Sequence, residues 1–122
     1  MSTPSTINLQ DRLEDLFSYI REGRILDAIN EFYAEDATMQ ENSLPPTVGR
    51  EANYEREKQF LSMVKEWKGF EVIAKGVGEN VTFYETVMDW VTTDDTPVHV
   101  EQVVVAKWKG GKIIHERYYH QS

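Results

Sequence analysis

The sequence predicts an α+β fold in which the helices come first and most of the sheet comes last. Three observations carry that prediction. Apolar residues recur at helical spacing through the first third of the chain and again after Arg50. Beyond Gly69, four runs rich in β-branched and aromatic residues read as strands: FEVIAKGV, VTFYETVMDWVTT, PVHVEQVVVAKWK and KIIHERYYH. The clusters between them, GEN, DDTP and KGGK, are too short for a parallel crossover, so those four strands are antiparallel neighbours.

In order along the chain, residues 1–6 are small and polar and read as a frayed tail, with one domain over 7–122. Leu9, Leu13, Leu16, Phe17 and Ile20, with Asp11, Arg12, Glu14 and Asp15 between them, predict an amphipathic helix over 8–21 that Gly23 ends. Ile25, Ala28, Ile29, Phe32 and Tyr33 repeat the pattern, and this second helix is expected to stop near Glu35 and Asp36. A short strand is expected around Ala37 to Glu41. The segment NSLPPTVG holds two of the four prolines and reads as a loop. Phe60, Met63, Val64 and Trp67 share one stripe, which predicts a third helix from Arg50 to about Trp67.

The 122 residues suit one ordinary domain. A formal charge of -8, from 21 acids and 13 bases, and the lack of a dense Lys/Arg cluster argue against nucleic acid as a partner. The absence of cysteine excludes disulfides, thiolate nucleophiles and Cys-ligated metals. The N-terminal MSTPSTINLQDRL has neither a basic start nor an apolar run, and no segment approaches the roughly 18 apolar residues of a membrane span, so no membrane association and a cytoplasmic location are expected. The glycines at 76, 78, 110 and 111 lie between strands and form no phosphate-cradling loop.

Alternation puts Val98, Val100, Val104 and Trp108 on one face of their strand and His99, Glu101, Val103 and Val105 on the other. Both faces are partly apolar, whereas three helices cover only one. A homodimer packed through the sheet is therefore expected.

The helix hairpin, the stretch FYAEDATMQEN, a Pro-containing loop, VGREA, a helix and a terminal GGKIIHERYYH together resemble the nuclear transport factor two-like superfamily, in particular its snoaL-like polyketide cyclase and ketosteroid isomerase branch. The resemblance spans nearly the whole chain. It implies a cone-shaped, cystatin-like roll, three N-terminal helices packed on the concave face of a curled, mostly antiparallel sheet, around a pocket for a hydrophobic small molecule. Fold alone does not set chemistry in such a superfamily.

The same resemblance implies site residues. Counting from Ala37, Glu41 takes the position of the isomerases' general base. The positions of their two oxyanion donors fall, by counting, on Leu16 and Val103, neither of which can donate. Losing one such donor typically costs 10²-fold or more in rate, which argues against steroid isomerase chemistry in its familiar form. Counting back from the final hairpin puts His99 and Glu101 on the pocket side, with Glu116, Tyr118 and His120, while Tyr33 matches a tyrosine of the isomerase hydrogen-bond network. The expected catalytic set is Glu41, His99, His120 and Tyr118, and the expected ligand-binding set is Tyr33, Met39, Glu101, Val103 and Glu116, with no cofactor. The alternative to a pocket position for Glu41 is a solvated strand-end residue facing the Pro45 and Pro46 loop, and His99 with Glu101 reads equally as an exposed cross-strand pair. His99, Glu101 and His120 also have the residue types of a two-histidine, one-carboxylate metal site, but no supporting motif such as HExxH accompanies them and no metal is expected. The functional expectation is acid/base chemistry of an isomerase or cyclase type on a carbonyl-containing small molecule, with a non-catalytic, dimeric ligand-binding module as the alternative.

Overall fold

The structure, a computed structural model, describes residues 8–120, so the tail expected at 1–6 lies outside the described residues. Three helices pack against one face of a six-stranded mixed sheet that does not close. The elements are α1 (Leu9–Arg21), α2 (Ile25–Phe32), β1 (Tyr33–Glu41), β2 (Thr47–Val48), α3 (Arg50–Ser62), β3 (Val64–Gly78), β4 (Val81–Thr92), β5 (Pro97–Lys109) and β6 (Lys112–His120). The strand order is β2-β1-β6-β5-β4-β3. β1 runs parallel to β6, and every other neighbouring pair is antiparallel. The α+β class, the helix hairpin and the four consecutive antiparallel strands are as the sequence predicts.

α1 starts where the Asn8 side chain accepts a hydrogen bond from the Asp11 backbone N–H, satisfying one of the otherwise orphaned amides of a first turn. Leu13, Leu16 and Phe17 form its buried stripe, and Gly23 takes φ 74°, a left-handed conformation that side chains disfavour. In α2, Ala28, Ile29 and Phe32 are buried against the same core.

Three boundaries differ from expectation, each because a long-range pairing overrides a local pattern. α2 stops at Phe32 because Tyr33 is already extended (φ -106°, ψ 137°) and pairs with Ile113 of β6. The proline loop contains the two-residue strand β2, which pairs through Val48 and Thr47 with Thr38 and Met39 at the sheet edge, where Pro45 and Pro46 interrupt no ladder. α3 ends at Ser62, and Val64 and Trp67 belong to β3. There, Trp67 stacks on its cross-strand partner Trp90 at 6.0 Å between ring centroids and donates its indole N–H to the Ile20 carbonyl.

Asn53 fixes α3 to this edge. It is 1% exposed, and its Nδ2 donates to the carbonyls of Gly49 (2.8 Å), Thr47 (3.1 Å) and Ala37 (3.3 Å), so one amide ties the helix start, β2 and β1 together. The opposite, convex face of the sheet carries Ile73, Phe83, Val103 and Tyr119, all exposed. Among the described residues, no helix is long and apolar enough to cross a membrane.

Candidate functional site

The side chains that enter the concave face are selected by one irregularity in the last hairpin. Lys109 pairs with Lys112 and Trp108 with Ile113, but a register shift follows, after which Ala106 faces Glu116, Val104 faces Tyr118 and Gln102 faces His120. Because side chains alternate with period two, a slip of one residue exchanges the faces of everything beyond it. A straight hairpin would have set Glu116, Tyr118 and His120 beside Val105, Val103 and Glu101, which is the placement that counting from the hairpin predicts.

The consequence corrects part of the expected site. Glu116, Tyr118 and His120 do point into the concavity, as do Tyr33, Met39 and Glu41 of β1. His99, Glu101 and Val103 do not: on β5 the inward residues are Val98, Val100, Gln102 and Val104, matched across β4 by Trp90, Met88, Thr86 and Tyr84. His99 and Glu101 border the rim of the cavity, but their side chains pair on the convex face, where His99 Nδ1 lies 2.7 Å from Asp89 and Nε2 lies 2.9 Å from Glu101. These carboxylates push the His99 imidazole up from its ordinary value. Val103 is 41% exposed on the same outer face. The register thus keeps His99 and Glu101 on the other side of the sheet from His120.

The concavity is a cavity of about 690 Å³, in the size range of small-molecule sites. Its deep end is apolar: Leu16, Ala28, Ile29, Met39, Phe70 and Tyr84 are all buried there. Leu16 occupies the inward position expected of it. Toward the mouth stand Phe60, Trp67 and Trp90, with Phe60 packed edge-on against Trp90 at 5.1 Å.

At the deep end sits Glu116, 1% exposed. The hydroxyls of Tyr33 and Tyr118 both donate to its Oε1, while its Oε2 is buried without a partner. Burial pushes the Glu116 carboxyl from the ordinary 4.5 up to about 7, because desolvation of the charge outweighs the two phenol hydrogen bonds that favour it. Burial also raises Tyr33 and Tyr118 well above the usual phenol value, with Glu116's charge adding to the effect, so both stay protonated donors. Tyr33 reaches the site from β1, Glu116 and Tyr118 from β6, and the parallel pairing of Met39 with Glu116 sets the two strands in register.

Glu41 is on the pocket side but at the mouth, with a side chain 35% exposed. It is held from both sides: Arg56 of α3 donates to Oε2, and His120 Nε2 lies 3.0 Å from Oε1. Neither the isolated solvated residue nor the buried base describes it. The next residue of α3, Glu57, also lines the cavity, its carboxyl pushed up by burial, lowered by the Arg56 charge and raised again by that of Glu41.

Arg56 and Glu57 are functional-site residues that sequence reasoning did not single out. The available signal was their spacing: Glu57 and Phe60 are three apart, so a helix that turns Phe60 inward turns Glu57 inward too. Glu116 was expected to contact ligand, yet it is the most deeply buried acid of the site, a consequence of the register slip and not of any local motif. Chemically, an acid pushed up to about 7, fixed by two phenols and buried in the lining of an apolar chamber, can both accept and return a proton.

The family model of the SnoaL-like domain matches residues 5–120. No curated protein matches the chain in sequence. Among solved structures, the chain is similar to a proposed SnoaL-like polyketide cyclase [carbohydrate phosphatase] from Mesorhizobium loti, with 20% identity, a TM-score of 0.79 and coverage of 93% of this chain and 99% of that one. It is also similar to an NTF2-like protein of unknown function from Burkholderia pseudomallei (8% identity, TM-score 0.80, coverage 95% and 92%). A third is a protein with a ketosteroid isomerase-like fold from Catenulispora acidiphila, in complex with trimethylamine (16% identity, TM-score 0.75, coverage 97% and 86%). At these identities the likeness establishes the fold.

Proposed function

This chain belongs to the SnoaL-like domain family, and on that premise we propose that it is a cytoplasmic acid/base enzyme of the isomerase or cyclase type, acting on a hydrophobic, carbonyl-containing small molecule. Glu116, not Glu41, is the group that moves the proton. The observation that carries this reading is the Glu116 carboxyl itself: buried, held through Oε1 by Tyr33 and Tyr118, with no partner for Oε2, so that desolvation pushes it up to about 7. In the ionised form Oε2 takes a proton from the carbon next to the carbonyl, and the C–H electron pair moves into the enolate. The carboxylic acid so formed returns the proton at a second carbon. His120 lines the same cavity and is the candidate donor to the enolate oxygen, since the single Tyr118 proton is given to Glu116. Glu41, bridging Arg56 and His120, positions the mouth.

The test is solvent exchange. Wild-type protein in deuterium oxide is incubated with a panel of hydrophobic ketones, and loss of α-proton signal is followed by NMR. Exchange that Glu116→Gln abolishes while the variant stays folded supports the reading; a panel in which no ketone exchanges leaves the second reading, a non-catalytic ligand-binding module.

A homodimer through the convex face is part of the proposal under either reading. Ile73, Phe83, Val103 and Tyr119 are apolar and exposed on a face that no helix among the described residues covers.

A further inference from the structure

The cavity has an electrostatic imbalance that a purely apolar ligand does not answer. Inside the rim, where Glu101 and His99 pair with each other, three carboxyls line it, from Glu41, Glu57 and Glu116, against one guanidinium, Arg56, and one imidazole, His120. That guanidinium is already committed to Glu41. Glu57 is close enough for its charge to add to the burial that raises the Glu116 carboxyl. Glu116 Oε2 is an anionic or acidic oxygen, buried in the wall of a chamber large enough for a ligand, with nothing hydrogen-bonded to it. Burying a carboxylate without a partner is costly, and in a pocket the missing partner is normally on the ligand.

The surroundings specify what kind of partner. Phe60 lies one helical turn from Glu57, with Trp90 edge-on to it and Trp67 stacked on Trp90. Aromatic faces carry negative electrostatic potential and attract cations, most strongly where water is excluded. The Trp67 ring cannot easily turn away, since its indole N–H is held by the Ile20 carbonyl. An acid beside a fixed aromatic group, in a chain of net charge -8, also favours encounter with cations over anions.

We infer that the ligand of this cavity carries a basic nitrogen, seated as an ammonium between the Glu57 carboxylate and the Phe60–Trp90–Trp67 aromatic group, with its apolar body toward Leu16, Ile29 and Phe70. This rests on the reading of the concavity as a small-molecule site and names the class of molecule: an amine with a hydrophobic body and a carbonyl, the C–H next to that carbonyl reaching Glu116. The ammonium has a second effect. Brought near Glu116, it stabilises the carboxylate form, the form that abstracts a proton.

The test uses three probes of one length and opposite charge: phenylbutylamine, phenylbutanol and phenylbutyrate, titrated against full-length protein at pH 7.5 with tryptophan fluorescence as readout. The expected result is that the amine binds about tenfold more tightly than the alcohol, and the carboxylate more weakly than either. Glu57→Gln should bring the amine to the affinity of the alcohol while leaving the alcohol unchanged, which also verifies that the variant keeps its cavity. Trp90→Leu should likewise narrow the gap. Equal binding of amine and alcohol, tighter binding of the carboxylate, or an amine preference that persists in Glu57→Gln overturns the inference. Failure of the acid/base reading is separate: it is seen when no ketone exchanges deuterium although the amine preference and its loss in Glu57→Gln are both present.

Discussion

The hydroxyl of Tyr33, the first residue of β1, donates to Oε1 of Glu116, 83 positions later in the chain. Tyr118 donates to the same oxygen from two residues away on β6. Removing Tyr33's donor weakens the ionised form of Glu116 more than the protonated form. Tyr33→Phe should therefore raise the Glu116 pKa above about 7 and move the acidic limb of any pH–rate profile upward with it, and carboxyl carbon NMR should report the same shift. An unmoved limb would separate Glu116 from the chemistry.

Glu116 also makes stability depend on pH. Its folded-state value, about 7, stands above the ordinary 4.5, so between those limits the folded chain holds a proton that the unfolded chain has released. Stability from this group falls as pH rises from about 4.5 to about 7 and is level above, by about 3 kcal/mol in all. His99, raised, acts in the same direction and His115, lowered by burial, in the opposite one, so the informative quantity is the difference from a variant. Glu116→Gln should lose this slope: relative to wild type it gains as pH goes from 5 to 8 in urea titrations. A parallel pair of curves would contradict the burial-raised carboxyl.

Glu41 has a lesser part. Its ion pairs with Arg56 and His120 lie at a half-open mouth, where such pairs contribute about 0–1 kcal/mol. Glu41→Gln should change the unfolding midpoint little and reduce ketone exchange by no more than about tenfold, against a loss of 10²-fold or more for Glu116→Gln. The reverse ranking, measured in the same NMR assay, would return the base to Glu41.

Asn53 is a structural test. With Nδ2 shared among three carbonyls, of which those of Ala37 and Gly49 keep a backbone donor, Asn53→Ala removes the side-chain tie and should destabilise by about 1–2 kcal/mol in chemical denaturation. A cost below about 0.5 kcal/mol would mean that β2 and the start of α3 are held by something else.

The convex face gives a solution measurement. Val103→Asp places a charge between Glu85 and Tyr119, one inward-facing pair away from Phe83, without reaching the cavity. Sedimentation should find wild type as a dimer and the variant as a monomer that retains probe binding. A wild-type monomer would remove the dimer from the proposal.

Much of the architecture was legible because it is written in local periodicity: the α1 stripe of Leu13, Leu16 and Phe17, and the alternation of Val98, Val100 and Val104, appear as predicted. What was not legible depends on partners distant in sequence. Trp67 fits a helical stripe in its own neighbourhood, and only Trp90 across the ladder makes it a strand residue. The placement of His99, Glu101 and Val103 turned on one slipped residue beside Trp108, which carries no glycine or proline to mark it. Glu41 was found on the expected strand and side, but the deeper acid, Glu116, could be ranked above it only once both faces of β6 were known.

Among the described residues, the one parallel pairing joins β1 to β6, the strand farthest from it in sequence. Contacts that close so long a loop carry its entropy cost and tend to form late. The Tyr33–Glu116 pair therefore cannot exist on a nascent or C-terminally clipped chain. Competence to bind or to react arrives only with β6, so any fragment that lacks it is silent however well its helices fold.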